Sequence, residues 1–278
     1  MDTTGLTQLA LTLGTAAVVG TGIYASVIER FWLNLTHVRI VLPRLPRAFG
    51  GFKIALFSDV HLGFFYSPQH LSTVVDLINR ESPDVICFTG DFLDSRKSLR
   101  SLEPAIPVLE RLNAPYGKFA LLGNHDYRAG ADPVIRGLER GGFRVLRNEH
   151  SAIRKQNEQV FLIGLDDVLE GKPNLEKAME DLPPTACKIL LAHEPDYADT
   201  ARQYPIDLQI SGHSHGGQIR FPFVGPIYTT KLGRKYLSGL KKTGNLLVYT
   251  NRGIGTTCLP IRFLCRPEIT MITLEPKP

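Results

Sequence analysis

Apolar residues in this chain come mostly in short solid runs, and nearly every run stops at a polar or glycine-rich turn. Runs of that length, bounded by turn signals, predict strands buried on both faces. They fall at 52–56, 85–89, 118–122, 188–192, 207–210, 245–249 and 268–274, with further strands around 143–146, 151–155 and 159–163. Helical spacing appears between them. At 69–80, Leu71, Val74, Val75 and Ile78 share one face, and weaker versions recur near 103–113, 133–140 and 174–181. Residues 35–42 alternate as an edge strand does, before Pro43, Pro46 and Gly50-Gly51 break the pattern. Strands alternating with helices predict one α/β domain, helices outside and sheets inside.

The amino terminus reads differently. No charged residue occurs over 5–27, and 9–28 alone makes 20 residues, about 30 Å of helix and enough to cross a hydrocarbon core. A cleaved signal peptide would begin with basic residues, whereas the only early charge is Asp2. Arg30, Arg39, Arg44, Arg47 and Lys53 come afterwards. That asymmetry puts the downstream side in the cytoplasm under the positive-inside rule. The expectation is an uncleaved single-pass membrane anchor at 1–30, a connector with an edge strand at 31–51, and a soluble domain at 52–278. Export of the domain and a buried soluble helix are the rival readings.

Composition narrows the partners. With 43% hydrophobic and 21% charged residues, the 278-residue chain has the make-up of a folded globular protein. A net charge of +5 permits a membrane surface or a phosphorylated substrate, but is too weak and dispersed for nucleic acid. The four cysteines show no CxxC spacing; Cys87 and Cys187 lie in strand runs, where a reduced, buried thiol is expected.

Candidate chemistry gathers where the strands end. The first run delivers Asp59-Val60-His61, the next Gly90-Asp91, and the third Gly123-Asn124-His125-Asp126. Later runs deliver His193 and Gly212-His213-Ser214-His215. Carboxyl ends of strands are the usual site positions in open α/β sheets. Asp59, His61, Asp91, Asn124, His193, His213 and His215 offer seven oxygen and nitrogen donors. That is too many for one tetrahedral zinc and suits two ions sharing a bridge. Asp166-Asp167 reads as a turn, and His37, His70 and His150 read as surface residues.

In order and spacing these blocks resemble the five signature blocks of the calcineurin-like metallophosphoesterases, over 52 to about 274. The resemblance implies a four-layer α-β-β-α sandwich, preceded here by the amino-terminal transmembrane helix, and makes 52–278 a catalytic domain. It implies that Asp59, His61 and His215 hold one divalent ion, that Asn124, His193 and His213 hold the other, and that Asp91 bridges them. Manganese is the expected ion, with iron or zinc as alternatives. His125 would act beside the phosphate, with Asp126 orienting its ring, while a metal-bridging hydroxide attacks phosphorus.

Two further stretches bear on the substrate. Phe64-Phe65-Tyr66 follows the first block and would put aromatic surface at the mouth of the site. Residues 218–242 mix aromatics with Lys231, Arg234, Lys235, Lys241 and Lys242 and contain no acidic residue. They read either as a surface for an amphiphile with a phosphorylated head or as a flap with its own small core. Gly212–Gln218 and the loop Arg252-Gly253-Ile254-Gly255 look like a bacterial membrane-associated branch of the superfamily. That branch includes phosphodiesterases and the UDP-2,3-diacylglucosamine hydrolase of lipid A synthesis. Arg252 would approach a phosphate or simply stand in a turn. The expected function is metal-dependent hydrolysis of a phosphodiester or pyrophosphate bond, in a substrate that is lipid-linked in the sharper reading. An exported phosphodiesterase and a non-catalytic membrane-tethered binding module are the alternatives.

Overall fold

A computed structural model describes residues 3–277; Met1, Asp2 and Pro278, the ends of the expected anchor and domain, lie outside the described residues. In chain order the elements are α1 (Thr3–Ile23), β1 (Asn34–Leu42), β2 (Phe52–Phe57), α2 (Pro68–Arg80), β3 (Val85–Thr89), α3 (Leu102–Glu110) and β4 (Lys118–Leu121). Then follow α4 (Asn124–Arg140), β5 (Arg144–Val145), β6 (Glu149–Lys155), β7 (Glu158–Gly164), α5 (Leu175–Ala178), β8 (Lys188–Leu191), α6 (Ala198–Ala201) and β9 (Leu208–Ser211). The chain ends with β10 (Arg220–Phe221), β11 (Gly225–Pro226), β12 (Gly239–Thr243), β13 (Leu246–Thr250) and β14 (Glu268–Pro276).

Two six-stranded sheets result, in the orders β1-β14-β2-β3-β4-β5 and β12-β13-β9-β8-β7-β6. β2, β3, β4 and β5 run parallel, as do β7, β8, β9 and β13. The period-two alternation of side chains sorts the solid apolar runs into layers. Phe52, Ile54 and Leu56 of β2, Val85 and Cys87 of β3, and Ile189 and Leu191 of β8 meet in one core between the sheets. Ala55, Phe57, Ile86 and Phe88 face outward onto α2, α3 and α4. Leu190 and Val248 face the other way, onto α5 and α6. Both faces of both sheets are covered, which is why the runs are solid, and the expected four-layer α/β architecture stands.

Boundaries differ from expectation in two places. The helix expected near 133–140 begins at Asn124, because Gly130 (φ 121°) breaks it into two pieces and disguises the first as loop. The helix expected at 174–181 is a single turn, Leu175–Ala178. β1 lies at the sheet edge, parallel to β14, so residues just after α1 are woven into the domain.

α1 continues through a π turn and a 3₁₀ turn, giving a helical segment Thr3–Phe31 long and apolar enough to cross a membrane. None of the α1 residues is buried. A core helix of a soluble protein would bury one face against its own domain, and α1 does not.

Candidate metal centre

The carboxyl ends of β2, β3 and β4 in one sheet meet those of β8 and β9 in the other. Loops leaving them are stitched together by backbone hydrogen bonds: Asp59 N donates to Gly90 O (2.9 Å), His61 N to Asp91 O (3.1 Å), and Gly212 N to His193 O (3.1 Å). Asp59, His61, Asp91, His213 and His215 all take positive φ, between 47° and 66°. A non-glycine residue adopts that region at a cost, and such strain clusters at functional sites. Here it turns five loop side chains back toward one point.

Two of the motif glycines have a steric reason. A Cβ on Gly212 would run into Ser58 Oγ and the Asp59 carboxylate. A Cβ on Gly90, already at φ +96°, would stand 2.7 Å from both Gly123 N and His193 Nδ1.

The structure brings together all seven residues singled out as ligands, every one of them buried. Asp59, His61 and His215 present donor atoms to one point, and Asp91, His193 and His213 to another. Asp91 Oδ2 lies 3.3 Å from His193 Nε2 and 3.5 Å from His61 Nε2, so it stands between the two groups. Asn124 Oδ1 is buried without a hydrogen-bond partner among the described residues.

Hydrogen bonds on the far side of two of the rings, His193 and His213, fix which nitrogen faces inward. His193 Nδ1 donates to Thr89 O (2.6 Å) and His213 Nε2 to Lys231 O (2.8 Å). Carbonyl oxygens only accept, so in the neutral rings His193 Nε2 and His213 Nδ1 carry lone pairs, and these sit 3.2 Å apart. His61 Nε2 and His215 Nε2 also face each other, at 3.1 Å, with both Nδ1 atoms buried and without a hydrogen-bond partner among the described residues. Facing lone pairs repel, and a proton or a metal cation between them removes that repulsion. This outer holding of inner ligands is the arrangement of protein metal sites.

Electrostatics point the same way. Burial raises the Asp59 carboxyl above its ordinary value, and Asp91 adds to the rise against His193. Burial also opposes ionisation of Asp91, but the His193 and His61 rings outweigh it and hold that carboxyl well below the usual range. Burial works against a proton on His193 too, yet Asp91, Asp59 and Glu194 raise it well above an ordinary imidazole. Burial lowers His213 to about 3, with His193 adding to the effect. Such a cluster holds protons where cations are wanted, and oxygen and imidazole donors of this mix suit divalent first-row metals. The residues present fit two such ions.

His125 and Asp126 do not pair as expected. The His125 ring is held by Asp94, whose carbonyl oxygen accepts from Nδ1 at 2.7 Å. Asp126 is fully buried and accepts instead from the amides of Phe92 (3.1 Å), Leu93 (2.9 Å) and Gly123 (3.1 Å). It thus fixes the loop that carries Asp91 and opens α4 as a capping carboxylate. Asp94 was missed in the sequence. Its carboxylate also stands 3.7 Å from His61 Nδ1, three residues after Asp91 in a segment that reads as ordinary turn.

A cleft of 350 Å³ opens on this cluster, with Asn124, His125, Arg128, Tyr228 and Lys231 in its walls. Phe64, Phe65 and Tyr66 are absent from that lining. They lie instead at the end of the amino-terminal helix, where Arg30 donates to the Phe65 carbonyl. Arg252 is committed to Glu268 (3.1 Å) and so serves the loop rather than a ligand. Asp167 closes a turn by accepting from Leu169 N and Glu170 N, as its spacing implied. Of the three remaining histidines only His37 is exposed. His70 stacks on Phe31 (4.4 Å between ring centroids), and His150 bonds the Ala178 carbonyl.

Comparisons with known proteins agree with this geometry. Residues 52–217 match the family described as calcineurin-like phosphoesterase. The chain is 41% identical over 268 residues to the metallophosphoesterase YkuE of Bacillus subtilis (strain 168), covering 96% of this chain and 94% of that one. It is 32% identical over 273 residues to the phosphodiesterase YaeI of Escherichia coli (strain K12), covering 97% of each. It is 29% identical over 322 residues to the UDP-2,3-diacylglucosamine pyrophosphatase LpxG of Chlamydia trachomatis, covering 95% of each. Among solved structures, TT1561 of Thermus thermophilus superposes with a TM-score of 0.50 at 14% identity, over 73% of this chain and 90% of that one, a likeness of fold.

Proposed function

The chain belongs to the calcineurin-like phosphoesterases, a family of metal-dependent phosphohydrolases, and on that premise we propose how its residues divide the work. Asp59, His61 and His215 would hold one ion and Asn124, His193 and His213 the second, with Asp91 standing between the two groups as a shared ligand. Manganese is the ion proposed for both positions. The observation that carries this assignment is the pair of facing imidazole contacts, 3.1 Å and 3.2 Å, flanking Asp91. When bound, the two cations supply Lewis-acid polarisation and charge neutralisation at a phosphoryl group.

The remaining steps belong to side chains. Because His125 Nδ1 is tied to the Asp94 carbonyl, its Nε2 is the nitrogen left to work in the cleft. In the imidazolium form, with a second proton taken up from solvent, Nε2–H donates to a non-bridging phosphate oxygen or gives its proton to the leaving group; in the neutral form Nε2 only accepts. Asp126 is a positioning residue for the Asp91 loop. Arg128 and Lys231 line the same cleft and favour an anionic substrate.

The bond cleaved is a phosphodiester or pyrophosphate, and the substrate is a lipid-linked phosphate such as UDP-2,3-diacylglucosamine, an intermediate of lipid A synthesis. The relationship to LpxG, the apolar α1 and the exposed aromatic residues of 218–242 support that choice. The catalytic domain is placed on the cytoplasmic face of a bacterial inner membrane, following the basic residues after the helix. The phosphodiesterase YaeI supports the second reading, a plain phosphodiesterase acting on envelope phosphates, with the domain exported. Purified protein with manganese should hydrolyse bis-p-nitrophenyl phosphate and release UMP from UDP-2,3-diacylglucosamine. Hydrolysis of the first without the second selects the plain phosphodiesterase. Protease added to intact cells should spare the domain; digestion would reverse the assigned side.

A further inference from the structure

Next to the metal-ligand cleft lies a second cavity of 410 Å³, within the about 300–1,000 Å³ typical of small-molecule sites. The two cavities share His215, Tyr228, Thr230, Thr257 and Cys258, so they lie side by side against the same residues. One carries the imidazoles and carboxylates. The other is walled by Ile219, Ile227, Leu259 and the ring of Tyr228.

Polar groups in that far wall are already spent on the protein. Gln218 Nε2 donates to Thr257 O and Leu259 O (both 3.0 Å), and its Oε1 accepts from Thr257 N (2.9 Å). Ser214 Oγ donates to Leu237 O (2.6 Å). A sugar or a peptide entering there would lose hydrogen bonds to water and gain none, a loss that apolar groups do not suffer. Two exceptions, Thr230 Oγ1 and His215 Nδ1, are buried and without a partner among the described residues, and both residues line both cavities.

The outer wall rests on the end of the amino-terminal helix. Arg262 N donates to Ala25 O (3.0 Å), and Arg30 Nη1 donates to Pro260 O (3.2 Å). Phe263 packs on Phe221, tying this wall to the 218–228 segment. Around it Phe223, Val224, Ile227, Leu259 and Leu264 are all more than half exposed, Phe223 completely. An apolar fringe of this kind marks a contact surface, and its attachment to the membrane-length helix identifies the contact as lipid.

We infer that the 410 Å³ cavity is an acyl-chain site: one hydrocarbon chain of a membrane amphiphile enters it from the bilayer, and the phosphoester head reaches the metal ligands with Thr230 Oγ1 at the junction. The inference rests on the phosphoesterase reading and adds what selects the substrate.

The test uses the full chain in phospholipid nanodiscs with manganese and a series of p-nitrophenyl alkyl phosphodiesters from methyl to dodecyl. A dodecylphosphonate carrying a diazirine on its chain serves as a probe independent of turnover. Each methylene taken from water into the cavity should raise kcat/KM by about fourfold, so burying only two of them already puts the dodecyl to methyl ratio above about tenfold. In Leu259→Arg and Ile219→Arg that ratio should collapse toward one, and photolabel should map to 219–228 or 257–259. Methyl ester hydrolysis with no gain along the series, or a gain that survives both variants with label elsewhere, overturns the acyl site and leaves the phosphoesterase standing. Label in the cavity with neither ester hydrolysed does the reverse, and absence of both label and hydrolysis removes both.

Discussion

The metal-ligand cluster and the apolar cavity share five lining residues yet are built on opposite plans. Ligands come from strand ends, are buried, and are held on their outer sides by fixed partners such as Thr89 O and Lys231 O. The cavity is lined by the loop residues on either side of the short hairpin β10–β11, such as Ile219, Ile227 and Tyr228, and by the irregular stretch 257–259, with aromatic side chains nearby open to solvent. The contrast separates two demands. Chemistry needs donor atoms fixed relative to one another, which packed strands supply; selection needs a surface that varies without disturbing them, which loops supply.

Breaking the cluster should cost most. In Asp91→Asn the charge between the two groups is lost, and kcat on bis-p-nitrophenyl phosphate should fall about 10³-fold, ~4 kcal/mol of barrier. The same sample should hold less metal by elemental analysis. A residual rate within tenfold of wild type would show that Asp91 does not bridge. His125→Ala should lower kcat about 10²-fold while metal content stays at the wild-type value. Loss of metal along with activity would make His125 a ligand instead.

A third prediction concerns pH. Without metal, His193 holds its proton well above the ordinary imidazole range, because Asp91, Asp59 and Glu194 outweigh burial. A metal ion must displace that proton, so affinity rises with pH and falls as the medium is acidified, by about tenfold per pH unit for each proton displaced. Calorimetry in buffers of different ionisation enthalpy should find on the order of one proton released per chain near pH 7. Binding that is flat with pH would contradict the raised His193.

The same contrast explains what the sequence disclosed. Strand ends were legible because solid apolar runs name the strands, and each run stops at its ligand, as at Leu191 before His193. Asp94 was hidden because it works through a backbone carbonyl and a ring contributed by a different loop, and sequence spacing records neither. The first piece of α4 was hidden because Gly130 and Pro133 together look like a break, although Asn124 stands in its opening turn. Arg262 illustrates the limit. It is wholly buried, with its guanidinium spread over the carbonyls of Arg252, Gly253, Gly255 and Cys265, and nothing in a proline-bearing tail foretells a buried cation. The 218–242 stretch was legible only in composition. Phe221 and Phe223 stay exposed while Tyr236 is buried against α6, so both readings, surface and small core, hold for different halves of the segment.

The smallest effect should come from the fringe. Phe223→Ser should lower turnover of a substrate embedded in vesicles by about threefold, in line with partial burial of one aromatic side chain. Turnover of a soluble diester should change less than twofold; an equal loss on both would place Phe223 in the cluster's half of the comparison.

The central claim is that seven strand-end residues bind two ions and that both serve hydrolysis. It is tested most directly by stripping the chain with chelator and titrating manganese back while ion content and turnover of bis-p-nitrophenyl phosphate are read on the same samples. The account predicts two manganese ions per chain, with activity returning as the second site fills. A chain that saturates at one ion, or that turns over fully when metal-free, would contradict it.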